Sequence, residues 1–224
     1  MSFNKQKCDP SLGQAIHKHL VSCGVETPTV DSTLERSEKI DIIESKFKAI
    51  METLGLDLSD DSLAETPKRV AKMLVNETLW GLDYNAFPKC TAVENKMHYD
   101  EMVTERNVSV MSMCEHHFLT IDGTATVAYI PNNKVLGLSK INRVVEYFSR
   151  RPQIQERLVS QIYHALQYIL GTDNIAVVID AQHLCVRSRG VEDVGSSTIT
   201  SKLGGCFKSD PAVRAEFMTL VPNH

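Results

Sequence analysis

Val108-Ser109-Val110-Met111-Ser112-Met113-Cys114-Glu115-His116-His117-Phe118 is the stretch where the hydrophobic period of the chain changes. Val108 and Val110 alternate with polar neighbours, the two-residue repeat of a half-buried strand. Ala125, Val127 and Tyr129 repeat that pattern after Asp122-Gly123, a turn-forming pair that predicts a hairpin. Upstream the period is helical. Leu12, Ala15, Ile16 and Leu20 form one apolar stripe, closed by Gly24. Ile40, Ile43, Phe47, Ile50, Met51 and Leu54 form a second, ended by Gly55. Thr66-Pro67 opens a third helix that Val70, Met73 and Leu74 carry to Trp80-Gly81.

Downstream, a helix is expected from about Ser139 to Ser149. Pro152 opens another, whose stripe is Ile154, Leu158, Ile162, Leu166 and Ile169 and whose end is Gly171. Ile175–Ile179 reads as a buried strand running on toward Cys185. Weaker strand signals occupy Val194–Ser201 and Glu216–Val221. The result is an α+β chain with an N-terminal helical region over 1–95. A domain over 96–224 follows, ordered strand-strand-helix-helix-strand-strand, with an antiparallel sheet and helices on one sheet face.

A length of 224 residues allows one large domain or two small ones, and 42% hydrophobic with 23% charged residues is ordinary for a globular chain. A net charge of −4 gives no general attraction to nucleic acid or to an acidic membrane, so an anionic ligand needs a local basic cluster. No run of eighteen apolar residues predicts a membrane span, and Met1–Cys8 lacks a signal peptide's apolar core. The expected compartment is therefore the cytoplasm, where thiols stay reduced. Cys8, Cys23, Cys90, Cys114, Cys185 and Cys206 show no disulfide-framework spacing. Only Cys114 and Cys185 have histidine neighbours in sequence, and the other four read as free thiols.

Cys114, His117 and Cys185 make a three-ligand set suited to zinc, one short of a closed tetrahedron. Catalytic zinc sites keep that fourth position open, and His116 and His183 lie beside the ligands as spare proton-transfer groups. Spacing alone admits three readings: catalytic zinc, structural zinc with a fourth ligand elsewhere, or no metal and two buried thiols. On an extended strand residues two apart share a face, so His183 and Cys185 are expected to project together. Glu115 reads as a support for a ligand or as a surface group.

Ser139, Lys140 and Arg143 fall in the opening of a helix, where a hydroxyl and cations suit phosphate; a capped, solvated helix start has the same pattern. Arg187 and Arg189 add positive charge near Cys185. Gln155 and Glu156 occupy the first turn of the next helix. Glu156 either offsets the helix dipole or accepts two N–H bonds from a guanine edge, with Gln155 adding a contact.

Taken together these segments resemble the GTP cyclohydrolase I family. The resemblance rests on Asp61-Ser-Leu-Ala-Glu-Thr-Pro-Lys-Arg69-Val-Ala, Ser112-Met-Cys-Glu-His-His117, Gly137-Leu-Ser-Lys-Ile-Asn-Arg143, Arg151-Pro-Gln-Ile-Gln-Glu-Arg157-Leu and Ser197-Thr-Ile-Thr-Ser-Lys-Leu-Gly-Gly205, in order. It implies the tunnelling fold, with a barrel completed by oligomerisation, normally a decamer of two pentamers with active sites at subunit interfaces. It also implies conversion of GTP and water to formate and 7,8-dihydroneopterin triphosphate, the entry to pterin and folate synthesis.

By position, the resemblance assigns one zinc ion per subunit to Cys114, His117 and Cys185, lowering the pKa of a water that attacks C8 of the purine. His116 would move protons during ring opening and His183 would protonate the ribose ring oxygen. Ser139 would assist the Amadori rearrangement. Glu156 and Gln155 would hold the guanine edge, with Leu138 also lining the substrate site. Lys140, Arg143 and Arg189 would take the triphosphate, with Arg69 reaching in from a neighbouring subunit. Other classes are a nitrile-reducing deazaguanine enzyme, which needs a nucleophilic Cys and no zinc, and a non-catalytic nucleotide binder. A nucleic-acid deaminase is a third, but its His-x-Glu and Pro-Cys-x-x-Cys signature is absent.

Overall fold

The computed structural model describes residues 5–222. Its contacts divide the chain into two units. One is Pro28–Trp80; the other joins the segment up to Thr27 to the chain from Gly81 onward. Helix α1 and residues 81–95, grouped by sequence with the N-terminal region, therefore pack with the sheet.

Helix α1 (Pro10–Ser22) starts where the Asp9 carboxylate accepts from the Leu12 N–H at 3.0 Å, with Pro10 in its first turn. It buries Gly13, Ile16 and Leu20. The Pro28–Trp80 unit holds α2 (Arg36–Thr53) and α3 (Thr66–Met73), which pack on each other. Glu35 and Glu38 form a capping box at the start of α2, and Gly55 adopts φ +79° just past its end. Beyond α3 the chain widens to a π-helical turn over Leu74–Thr78.

In the second unit β1 (Ala92–Glu94) pairs with the later β4 (Lys134–Leu136). The main sheet contains β2 (Val103–Cys114), β3 (Thr120–Tyr129), β5 (Pro152–Gln153), β6 (Ile175–His183) and β7 (Thr198–Leu203), in the order β5-β2-β3-β6-β7. Its long strands are antiparallel as expected, but β5 joins β2 in parallel, so the sheet is mixed. Pro152 thus opens this short edge strand rather than a helix.

Helices α4 (Leu138–Ser149) and α5 (Gln155–Leu170) follow the expected stripes, and α5 ends on Gly171 in the left-handed region. Leu158, Ile162 and Leu166 of α5 are essentially fully buried, each contributing about 2 kcal/mol of apolar burial. After β6 come a short helical turn α6 (Leu184–Arg187) and then α7 (Gly205–Ser209) and α8 (Pro211–Leu220).

Three further expectations from the sequence differ in the fold. Asp122-Gly123 lies inside β3, and the hairpin turns instead at 115–118. Gly123 serves close backbone approach: a Cβ there would lie 2.1 Å from the Asp180 carbonyl oxygen on β6. Glu216–Val221 is largely helical, because Asp210 caps α8 by accepting from the Ala212 N–H at 2.8 Å, with Pro211 in its first turn. That helix also changes the layering. Phe207 and Phe217 pack with Ala128, Ala176 and Val178, so residues 175–179 of β6 are buried on alternating sides and helices cover both faces there.

A fully buried Arg151 joins the N-terminal segment to the sheet unit. Its guanidinium donates to the Glu26 carboxylate, the Thr27 hydroxyl and the Tyr84 hydroxyl at 3.3 Å each, and to the Gly81 carbonyl. It also lies 4.9–5.2 Å from the ring centres of Tyr84, Tyr147 and Phe148.

Candidate metal centre and its surroundings

Strand register brings the reactive residues to one end of the sheet. Cys114, the last residue of β2, is paired with Gln153 of β5, and His183, the last of β6, is paired with Ile121 near the start of β3. The turn between β2 and β3 is fixed by backbone bonds: Cys114 N–H donates to Leu119 at 2.7 Å and Phe118 N–H to Cys114 at 2.9 Å. Phe118 takes φ +55°, a left-handed conformation that reverses the chain within so few residues. The Arg157 guanidinium donates to the Glu115 carboxylate, tying this turn to α5. Glu115 therefore pairs with Arg157 and faces His116, rather than bonding to one of the three candidate ligands.

Cys114, His117 and Cys185 present ligand atoms that all lie within 4.8 Å of one another. Two thiols and an imidazole are a donor set that fits zinc, and the cluster supplies three ligands. His183 ends the strand and Cys185 sits in the helical turn α6, so the two do not share a strand face. Cys185 reaches the cluster because α6 curls against β3 next to the hairpin turn. Burial, then the neighbouring Cys114 thiol, pushes the Cys185 thiol pKa up, while Arg189 opposes the shift. A bound cation would reverse that balance and favour the thiolate.

His116 is exposed; its Nδ1 is 4.0 Å from the Cys114 sulfur, and its Nε2 is 3.9 Å from a Glu115 carboxylate oxygen. His183 is held differently. Its Nε2 lies 2.8 Å from Gln155 Oε1, and Gln155 Nε2 donates to the carbonyls of Ile179 (3.1 Å) and Thr198 (2.7 Å). Those two carbonyls fix the amide orientation, so its oxygen must face His183. An oxygen of that kind only accepts, which assigns the proton to Nε2 and leaves Nδ1 free to exchange one. Burial lowers the His183 pKa, and Glu156 acts against it.

Glu156 is exposed in the first turn of α5, and Arg189 is exposed beyond α6. Leu138 and Ser139 are exposed at the start of α4. Lys140 and Arg143 are half-buried near Cys90, whose thiol burial pushes up to about 12 while the two cations pull it down. Helix α4, which carries this basic start, packs against β2, the strand that ends at Cys114. Arg69 is exposed and belongs to the Pro28–Trp80 unit. The Gln155 amide, read from sequence as a guanine contact, has its donors committed within the chain. Its partners, the Ile179 and Thr198 carbonyls, lie 24 and 43 residues away in the chain and are brought to it only by folding.

The GTP cyclohydrolase I family model matches residues 43–222. The chain is 60% identical over 195 residues to GTP cyclohydrolase 1 of Aeromonas salmonicida (strain A449), covering 87% of this chain and 89% of that protein. It is 56% identical over 205 residues to GTP cyclohydrolase 1 of Shewanella amazonensis, covering 92% and 95%. Against GTP cyclohydrolase 1 of Enterobacter sp. (strain 638) the identity is 54% over 220 residues, covering 96% and 99%. With the Cys114–His117–Cys185 cluster and its two histidines inside the matched region, the chain belongs to the GTP cyclohydrolase I family of enzymes.

Proposed function

We propose that this chain converts GTP and one net water into formate and 7,8-dihydroneopterin triphosphate, in the cytoplasm, with zinc held by Cys114, His117 and Cys185. The observation that carries this reading is the convergence of those three residues beside His116 and the oriented His183. A zinc ion bound there supplies Lewis acidity, which makes water a better nucleophile at neutral pH.

The remaining chemistry belongs to side chains. His183 keeps its Nε2 proton on Gln155 and exchanges protons with the ribose ring oxygen through Nδ1. His116, exposed beside Glu115, carries protons during opening of the imidazole ring. Glu156 accepts the N–H groups of the guanine edge, next to Gln155, which positions His183. Lys140, Arg143 and Arg189 meet the triphosphate at a helix start and beside Cys185, with Leu138 lining the site and Ser139 assisting the Amadori rearrangement. Arg69 contributes from a neighbouring subunit.

Assembly is part of the proposal. Among the described residues strand β7 ends the sheet with no strand on its outer side, and Ile199 on it is 63% exposed. Such an edge accepts another strand. A homodecamer of two pentamers closes a barrel there and completes each active site between subunits.

Incubating the zinc-loaded protein with GTP is expected to release formate and a pterin, fluorescent after oxidation, in equal amounts. Cys185→Ala is expected to lose the zinc of the Cys114 centre and, with it, product. Turnover-free GTP binding by the zinc-loaded wild type would overturn the reading.

A further inference from the structure

We propose a second zinc site, formed by His19, Cys23 and His164 and separate from the Cys114 centre. These are the other group of potential ligands that converge among the described residues: their donor atoms all lie within 4.8 Å of one another, as at the Cys114 centre. His19 lies in the last turn of α1 and Cys23 caps that helix, so the i, i+4 spacing places both on one face. His164 projects from α5, the helix against which α1 packs. By sequence Cys23 read as a lone thiol, and the fold gives it histidine company.

The spacing suits a metal. Bond lengths at a tetrahedral zinc put sulfur and nitrogen ligands about 3.6 Å apart. The Cys23 sulfur and His19 Nε2 are 3.7 Å apart. The imidazole of His164 is also prepared. Gln167 Nε2 donates to the Asp173 carboxylate at 2.6 Å, so Gln167 Oε1 turns to His164 Nδ1 at 2.9 Å. An amide oxygen only accepts, so Nδ1 carries the proton and Nε2 keeps its lone pair. A histidine whose other nitrogen is pinned by a hydrogen-bond acceptor is the usual arrangement behind metal-bound imidazole.

Two imidazoles and a thiol are borderline donors that suit zinc, with Cys23 releasing its proton to solvent on binding. A surface groove lined by Gln14, Lys18, His19, Ser22 and Tyr168 gives access and leaves room for water as the fourth ligand. The ion would clamp the end of α1 to the middle of α5.

Zinc content after chelator stripping, reloading with zinc and desalting tests this on the full chain. Wild type is expected to hold two ions, Cys23→Ser and His164→Ala one each, Cys185→Ala one, and the Cys185→Ala/Cys23→Ser double variant none. Cobalt(II) substitution gives the spectroscopic check: the thiolate-to-cobalt band should persist in Cys185→Ala and vanish when Cys23→Ser is added. If Cys23→Ser and His164→Ala each hold as much zinc as wild type, or the cobalt band is absent in Cys185→Ala, the second site is excluded. Failure at the Cys114 centre reads differently, because Cys185→Ala would then match wild type while Cys23→Ser lost its only ion.

Discussion

At position 155 a side-chain amide decides which nitrogen of His183 carries a proton. Gln155 does so through three bonds at once, to Ile179, Thr198 and His183. Gln155→Ala frees the imidazole to rotate and to change tautomer, and leaves two carbonyls without their donor. Steady-state kinetics on GTP should show kcat reduced about tenfold to a hundredfold with KM little changed, the size seen when a partner orienting an imidazole is lost. A raised KM with unchanged kcat would mean that the amide binds guanine instead. The sequence showed the ligand trio and the spare histidines because cysteine and histidine are rare and their chemistry is specific. It did not show what Gln155 bonds to, since a glutamine at a helix start has many uses and only the folded chain selects among them.

Among the elements, those whose sequences repeat a single period were legible: α1, α5, β2 and the buried β6 all lie where apolar spacing placed them. Misreadings came where one residue type serves two purposes. Gly123 reads in the sequence as a turn former, yet it is small so that β3 and β6 can approach. The apolar residues at 217–221 looked strand-like, but the Asp210-Pro211 cap starts a helix first. Arg151 opens one of the motifs, but nothing in the sequence marks it as buried, because a charged residue next to Arg150 reads as surface. It is instead fully buried among Glu26, Thr27, Tyr84, Gly81 and three aromatic rings. Arg151→Ala leaves Glu26 and a polar cage without their cation, a loss of about 3 kcal/mol. Thermal unfolding should show a midpoint lowered by on the order of 10 °C. A midpoint within a degree or two of wild type would show that the cage contributes nothing.

For the whole molecule the sheet edge is the decisive feature, and it is one that a single sequence hides, because a strand's hydrogen-bond partner is named only by the assembly. With β7 unpaired on one side, sedimentation should find a species of about 250 kDa, ten times the 25.0 kDa chain. Ile199→Lys places a charge on that edge and is expected to give smaller species and a parallel loss of GTP turnover. Unchanged sedimentation would remove β7 from the interface. Helix α5 meanwhile carries Gln155, Glu156, Arg157 and His164, spread over about 14 Å at the fixed rise of an α-helix. A residue added or removed between 157 and 164 would rotate everything after it by about 100° relative to what precedes it. The segment therefore tolerates exchange of side chains far better than any change in its length, whereas the exposed loop at 191–196 can lengthen or shorten without moving a strand.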